Sequence, residues 1–135
     1  MGYLHIENLY KNQRILSFKR CYALEKVHGT STAIHWKDGE LTFHSGGESQ
    51  VKFEALFNKE DLIAFFSRTG YKEISIFGEG YGGKCMRMSE TYGKELRFIA
   101  FDVKIENIWL TIPKADKFVQ YLGLEFVPYR EYLLI

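Results

Sequence analysis

The chain has 135 residues and a formal net charge of +1, a length that suits one domain built around one core. Hydrophobic residues make up 46% and aromatic residues 16% of the sequence, which excludes a disordered chain. Near-neutral charge neither indicates nor excludes a nucleic-acid partner, because a basic patch can lie within a balanced chain. Four cations near the N-terminus form either such a patch or, more simply, a solvated face: Lys11, Arg14, Lys19 and Arg20.

Cysteine usage and hydropathy indicate the compartment. Cys21 and Cys85 show neither metal-binding spacing nor a CxxC pair, so we predict a reduced, cytoplasmic protein. No apolar run approaches the roughly 18 residues of a membrane span, and the N-terminal stretch lacks the apolar region of a signal peptide. We therefore expect no membrane association.

Strand patterns dominate the first part of the chain. CYALEK (21–26) is a short strand candidate that includes Lys26. STAIHW (31–36) and LTFH (41–44) flank Asp38-Gly39, a dipeptide that favours a tight hairpin turn. We expect these two segments to pair as antiparallel strands.

One helix and then further strands follow. Asn58 suits an N-cap and Gly70 a C-terminal stop, which predicts a helix over residues 59–69. Strand patterns then cover 73–78, 96–105 and 107–110.

Near the C-terminus, Pro113 suits the first turn of a second helix that Gly123 closes, and 124–127 is a last strand candidate. The order of elements predicts one α+β domain over residues 1–135, with mostly antiparallel sheets and about two helices.

Lys26 stands three residues before Gly29, in the run EKVHG. A lysine amine acts as a nucleophile only in its neutral form, and a glycine lets a ligand approach the backbone closely. Taken alone, such a spacing is weak, and the simpler interpretation is an exposed lysine on an edge strand.

A second group of polar residues follows a strand in IFGEGYGGK. The carboxylate of Glu79 lies between two glycines, where it can accept hydrogen bonds from ribose hydroxyls or bind a hard metal ion. Gly82-Gly83-Lys84 can cradle phosphate through backbone N–H groups. The alternatives are a turn glutamate and a flexible hairpin loop.

Phe101 and Asp102 are neighbours in the strand RFIAFDVKI. Alternation along a strand predicts that they face opposite sides, so that one can stack on a base while the other reaches a different part of a site. A carboxylate in an apolar run usually has a partner or a task, and a paired structural Asp102 is the alternative.

Taken in order, EKVHGT, IFGEGYGGK and RFIAFDVKI resemble the motifs of covalent nucleotidyltransferases, and most closely those of RNA ligase 2-like ATP-dependent RNA ligases. The resemblance runs from about residue 21 to 127. It implies a partial nucleotidyltransferase (ATP-grasp-like ligase) domain that uses ATP and Mg²⁺ to join RNA ends through a lysyl-AMP intermediate.

The resemblance also implies a role for each site residue. Lys26 would be the catalytic nucleophile. Glu25 would read the adenine edge, and His28 and Gly29 would lie by the phosphate. Glu79 would contact the ribose or metal region, and Phe101 would stack on adenine. Asp102 would support the site.

The sequence departs from the family pattern after residue 126. Neither an E-G-x-V motif nor a K-x-K pair is present, so the chain resembles the N-terminal portion of the domain. No convincing phosphate-gripping arginine follows the first hairpin; Arg68 and Arg87 qualify by residue type only. Three hypotheses remain: an active ligase or adenylyltransferase, alone or complemented by another chain or copy; a non-catalytic nucleotide- or RNA-binding module; or a structural relative.

Overall fold

The computed structural model describes residues 2–82 and 95–134. Gly83, Lys84 and Arg87, considered above as phosphate contacts, and Cys85 lie outside these residues. Within them the chain forms eight strands and three α-helices: β1 (Arg20–Leu24), β2 (Thr30–Lys37), β3 (Glu40–His44), α1 (Gln50–Glu54), α2 (Lys59–Thr69), β4 (Glu73–Tyr81), β5 (Arg97–Ile105), β6 (Ile108–Trp109), α3 (Ile112–Tyr121), β7 (Glu125–Phe126) and β8 (Tyr129–Leu133).

The strands form two sheets. The larger sheet has the order β3-β2-β4-β5-β6 with antiparallel neighbours, and β7 joins β5 in parallel. The smaller sheet pairs β1 with β8. The predicted α+β class with mostly antiparallel pairing is confirmed. Strand β8 was not predicted, because its residues do not alternate between buried and exposed positions.

Two local predictions match the structure closely. Asp38 and Gly39 both have positive φ values, of 49° and 82°, as the tight turn between β2 and β3 requires. Asn58 Oδ1 accepts a hydrogen bond from the Asp61 N–H, and Gly70 ends α2 in the left-handed conformation.

The helices differ from the predicted count by one short element. Helix α1 has five residues, too few for a recognisable apolar period, and Ser49 caps it. Helices α2 and α3 pack on one face of the larger sheet through buried residues: Leu62, Phe66, Ala115 and Val119 against Ile34, Ile74, Ile76 and Val103.

A β-bulge in β5 changes which side chains lie on the face of the larger sheet that the helices do not cover. Phe77 pairs with Asp102 and Gly78 pairs with Ala100, so Phe101 is an extra residue without a partner. The prediction that Phe101 and Asp102 face opposite sides is therefore wrong, because the bulge shifts the alternation by one residue. Both side chains face away from the helices.

Gly78 is required at this bulge. A Cβ atom there would collide with the carbonyl oxygen of Ile99 and lie 2.6 Å from the Phe98 ring. We predict that Gly78→Ala lowers the free energy of unfolding by about 1–3 kcal/mol, measured by urea denaturation.

Gly47→Ala is the matched control, since its Cβ would meet only Thr30, at 3.3 Å and beyond. We expect that change to stay within about 0.5 kcal/mol. Equal stability of the Gly78 variant and the wild type would contradict the steric argument.

Candidate functional site

A cavity of about 700 Å³ lies on the helix-free face of the larger sheet. Five of the residues singled out in the sequence line it: Glu25, Lys26, Glu79, Phe101 and Asp102. His28 and Gly29 lie outside the lining. The structure therefore brings together side chains that are far apart in the chain.

Lys26 lies in the segment that connects the two sheets. Pairing of β1 with β8 ends at Leu24, and one more bond joins the Glu25 amide to the Pro128 carbonyl at 2.9 Å. The prediction that Lys26 is held on a strand is wrong, because the chain leaves β1 there and enters β2 only at Thr30. Val27 anchors this segment in a small apolar cluster between the sheets.

Glu79 extends into the cavity from β4, where it pairs with Ser31 and Ile99. Its Oε2 atom is buried and has no hydrogen-bond partner among the described residues. Burial raises the pKa of this carboxyl, and the positive charge of Lys26 only partly offsets that effect. An acceptor held in this way lacks a donor that a ligand can supply.

Gly29 explains how Glu79 is held. A Cβ atom on Gly29 would collide with the Gly80 carbonyl oxygen and come within 2.9 Å of Glu79 Oε2. The connecting segment can lie against β4 only because Gly29 has no side chain. His28, beside it, is exposed.

Tyr3 is a part of the site that the sequence did not indicate. Its hydroxyl donates to Asp102 Oδ2 at 2.6 Å, and its ring meets Phe101 edge-on at 5.0 Å between centroids. Burial is the main reason that the pKa of Tyr3 is raised, so the hydroxyl stays protonated and donates. No motif marks Tyr3, because only the fold brings it next to a strand nearly a hundred residues away.

Asp102, a carboxylate in an apolar strand, has hydrogen-bond donors in Tyr3 and the Val103 amide. Burial raises the pKa of its carboxyl, while hydrogen bonds from Tyr3 and from the Val103 amide oppose that rise. The cavity lining thus combines aromatic rings and an oriented carboxylate with Lys26 and the unsatisfied oxygen of Glu79.

Two other features are absent from the described residues. Within residues 2–82 and 95–134, no three His, Cys, Asp or Glu side chains are grouped so as to hold a metal ion. None of the helices described is long and apolar enough to cross a membrane.

Known structures share this fold. An RNA ligase of Naegleria gruberi, solved as a mutant with AMP and manganese, matches with a TM-score of 0.78 and 13% identity, over 100% of this chain and 44% of that one. A mutant of the same ligase with ATP and manganese matches with a TM-score of 0.67 and 15% identity, over 86% and 37%. An archaeal ATP-dependent RNA ligase gives 0.66 and 20% identity, over 90% and 35%.

The chain therefore spans less than half the length of the ligases it resembles. Among curated proteins, none matches it significantly. The RNA ligase family profile matches residues 19–133, which include β1 through β8 and most of the cavity lining. On that match, the chain belongs to the RNA ligase family.

Proposed function

We propose that this chain is the adenylyltransferase part of an ATP-dependent RNA ligase, in which Lys26 carries AMP. The observation that supports this most directly is the meeting of Lys26 with the unpartnered Glu79 carboxylate in one cavity that contains Phe101. The RNA ligases solved with AMP or ATP share the fold around this cavity.

The proposed chemistry uses the Lys26 amine as the nucleophile. Its nitrogen attacks the α-phosphorus of ATP, a P–N bond forms, and the P–O bond to pyrophosphate breaks as the amine loses a proton. AMP then passes to an RNA 5′-phosphate, and a 3′-hydroxyl displaces it to join the strands. Mg²⁺, carried mainly by the phosphates of ATP, would neutralise charge.

The remaining side chains bind and orient the nucleotide. Glu79 Oε2 would accept from a ribose hydroxyl, which would satisfy the buried acceptor. Phe101 would stack on adenine and Glu25 would accept from its edge. His28 and Gly29 would lie near the phosphates. Asp102, which accepts a hydrogen bond from Tyr3, would support the lining of the cavity.

A second candidate follows from the chain's length. Because the chain spans 44% of the Naegleria ligase, it would bind nucleotide or RNA without completing transfer if the rest of the ligase fold is needed. A second copy or a complementing chain would then supply the missing groups. A cytoplasmic location is part of the same proposal, consistent with the free thiol of Cys21.

Incubation with ATP and Mg²⁺ followed by intact-mass measurement tests the nucleophile. We expect the wild type to gain one AMP and Lys26→Ala to gain none, because the acceptor nitrogen is removed. Lys52→Ala, which removes an exposed lysine from α1 on the opposite side of the sheet, is the matched control and should be labelled normally.

Labelling retained in Lys26→Ala would exclude Lys26 as the nucleophile. Stabilisation of the wild type by ATP without any mass gain would favour the binding module instead, since a ligand of the folded state raises its stability even without reaction.

The pH dependence of stability tests whether Glu79 is held for a ligand. Its pKa is raised in the folded state, so the folded chain binds its proton more tightly than the unfolded chain. The free energy of unfolding therefore falls as pH rises from the ordinary value of 4.5 through the raised value. We predict that Glu79→Gln is more stable than the wild type at pH 7, by on the order of 1 kcal/mol, and that the gain disappears below pH 4.5.

The same variant should show a smaller rise in melting temperature with ATP, because its contact with the nucleotide changes. Glu60→Gln, an exposed position on α2, is the control and should change stability by less than about 0.5 kcal/mol. A Glu79→Gln protein less stable than the wild type at pH 7 would contradict this account of the buried carboxylate.

A further inference from the structure

Beyond the cavity, the helix-free face of the larger sheet carries a second row of polar and aromatic side chains. His35 on β2 pairs with Ser75 on β4, Ser75 pairs with Lys104 on β5, and Lys104 pairs with Trp109 on β6. We name these four residues the sheet-face platform. Residues that alternate with them, such as Ile34 and Val103, are buried under the helices, so the platform faces the other way.

The platform combines a hydrogen-bonding pair, a cation and an aromatic ring. His35 Nδ1 and Ser75 Oγ are 2.8 Å apart, and Lys104 Nζ lies 5.3 Å from the centroid of the Trp109 ring. Trp109 is 36% exposed, unusually open for a tryptophan. No carboxylate among the described residues forms an ion pair with Lys104, whereas Lys37 at the end of the same face is paired with Glu73 at 3.4 Å.

The platform is continuous with the cavity. Tyr3, which lines the cavity, also contacts Trp109, with ring centroids 5.4 Å apart. Phe77 packs beside both, 5.1 Å from Tyr3 and 5.5 Å from Trp109. A nucleic-acid strand lying along this face would therefore lead into the cavity that Lys26 lines.

We infer that the sheet-face platform binds the unpaired nucleotides of an RNA end, an inference that rests on the proposed ligase function. The exposed part of the Trp109 ring offers a contact surface to a base, and Lys104, with which no carboxylate among the described residues pairs, attracts phosphate. The hydrogen-bonded pair of His35 and Ser75 adds polar surface beside the cation. An exposed ring beside a cation fits a base and its phosphate better than an acidic protein surface, which offers no base to stack.

Binding of a short fluorescein-labelled single-stranded RNA tests the inference. We expect Lys104→Met, which keeps the apolar stem, to weaken binding severalfold and to lower the slope of log affinity against log salt by about 0.7. Lys52→Met on α1 removes the same charge from the opposite side and should leave both quantities unchanged. The rise in melting temperature with ATP should be the same in all three proteins.

Tryptophan fluorescence gives an independent readout. The chain has two tryptophans, and Trp36 is 5% exposed in the core, so Trp36→Phe leaves Trp109 as the reporter. Single-stranded RNA should quench this emission, and a duplex of the same length, whose bases are already stacked, should quench it much less.

These outcomes separate the inference from the proposed function. Unchanged salt dependence in Lys104→Met together with unquenched Trp109 would overturn the platform even if Lys26 still becomes adenylylated. Failure of the wild-type protein to bind RNA would also overturn the inference, and a protein would then be the partner to test for the sheet-face platform. Quenching and the reduced slope would support the platform even if Lys26 is never labelled.

Discussion

Gly29 lies against the Gly80 carbonyl and the Glu79 carboxylate, where the chain passes from the two-stranded sheet to the larger one. The placement of the Lys26 segment beside Glu79 depends on this close approach. It brings the segment with Glu25 and Lys26 over β4, while the buried side chain of Val27 fixes that segment between the sheets. A residue with a Cβ atom at position 29 would push this segment away from β4 and increase the distance between the Lys26 amine and the Glu79 carboxylate.

One group in this cavity, the Glu79 carboxylate, lowers the stability of the fold. The Oε2 atom of Glu79 is removed from water and receives no hydrogen bond from the residues around it. Asp102 shows the contrast, because Tyr3 and the Val103 amide donate to its two oxygens. One buried carboxylate is thus satisfied by the fold and the other is not, which is the pattern expected when the second acts on a ligand.

Local chemistry made part of this structure predictable. The turn at Asp38-Gly39 and the helix that Asn58 begins follow from turn residues and caps. That Lys26, Glu79 and Phe101 line one cavity was expected only from the resemblance to RNA ligases, not from the local sequence. The bulge at Phe101 and the contacts of Tyr3 were not predictable, because both depend on strand pairing and packing across distant parts of the chain. The loop position of Lys26 was missed because the pairing of β1 with β8 sets where that strand ends.

The bulge also determines which side chains share the helix-free face, and so how a nucleotide and an RNA end would meet in the proposed ligase. By shifting the alternation, it places Phe101 and Asp102 on the face that Lys104 shares, so one ring, that of Tyr3, contacts both Phe101 and Trp109. In the proposed ligase, adenylyl transfer would require donor and acceptor to lie within contact distance, and a shared rigid face would supply that at little entropic cost. A regular strand would have turned Phe101 or Asp102 into the helix-packed core and separated the two surfaces.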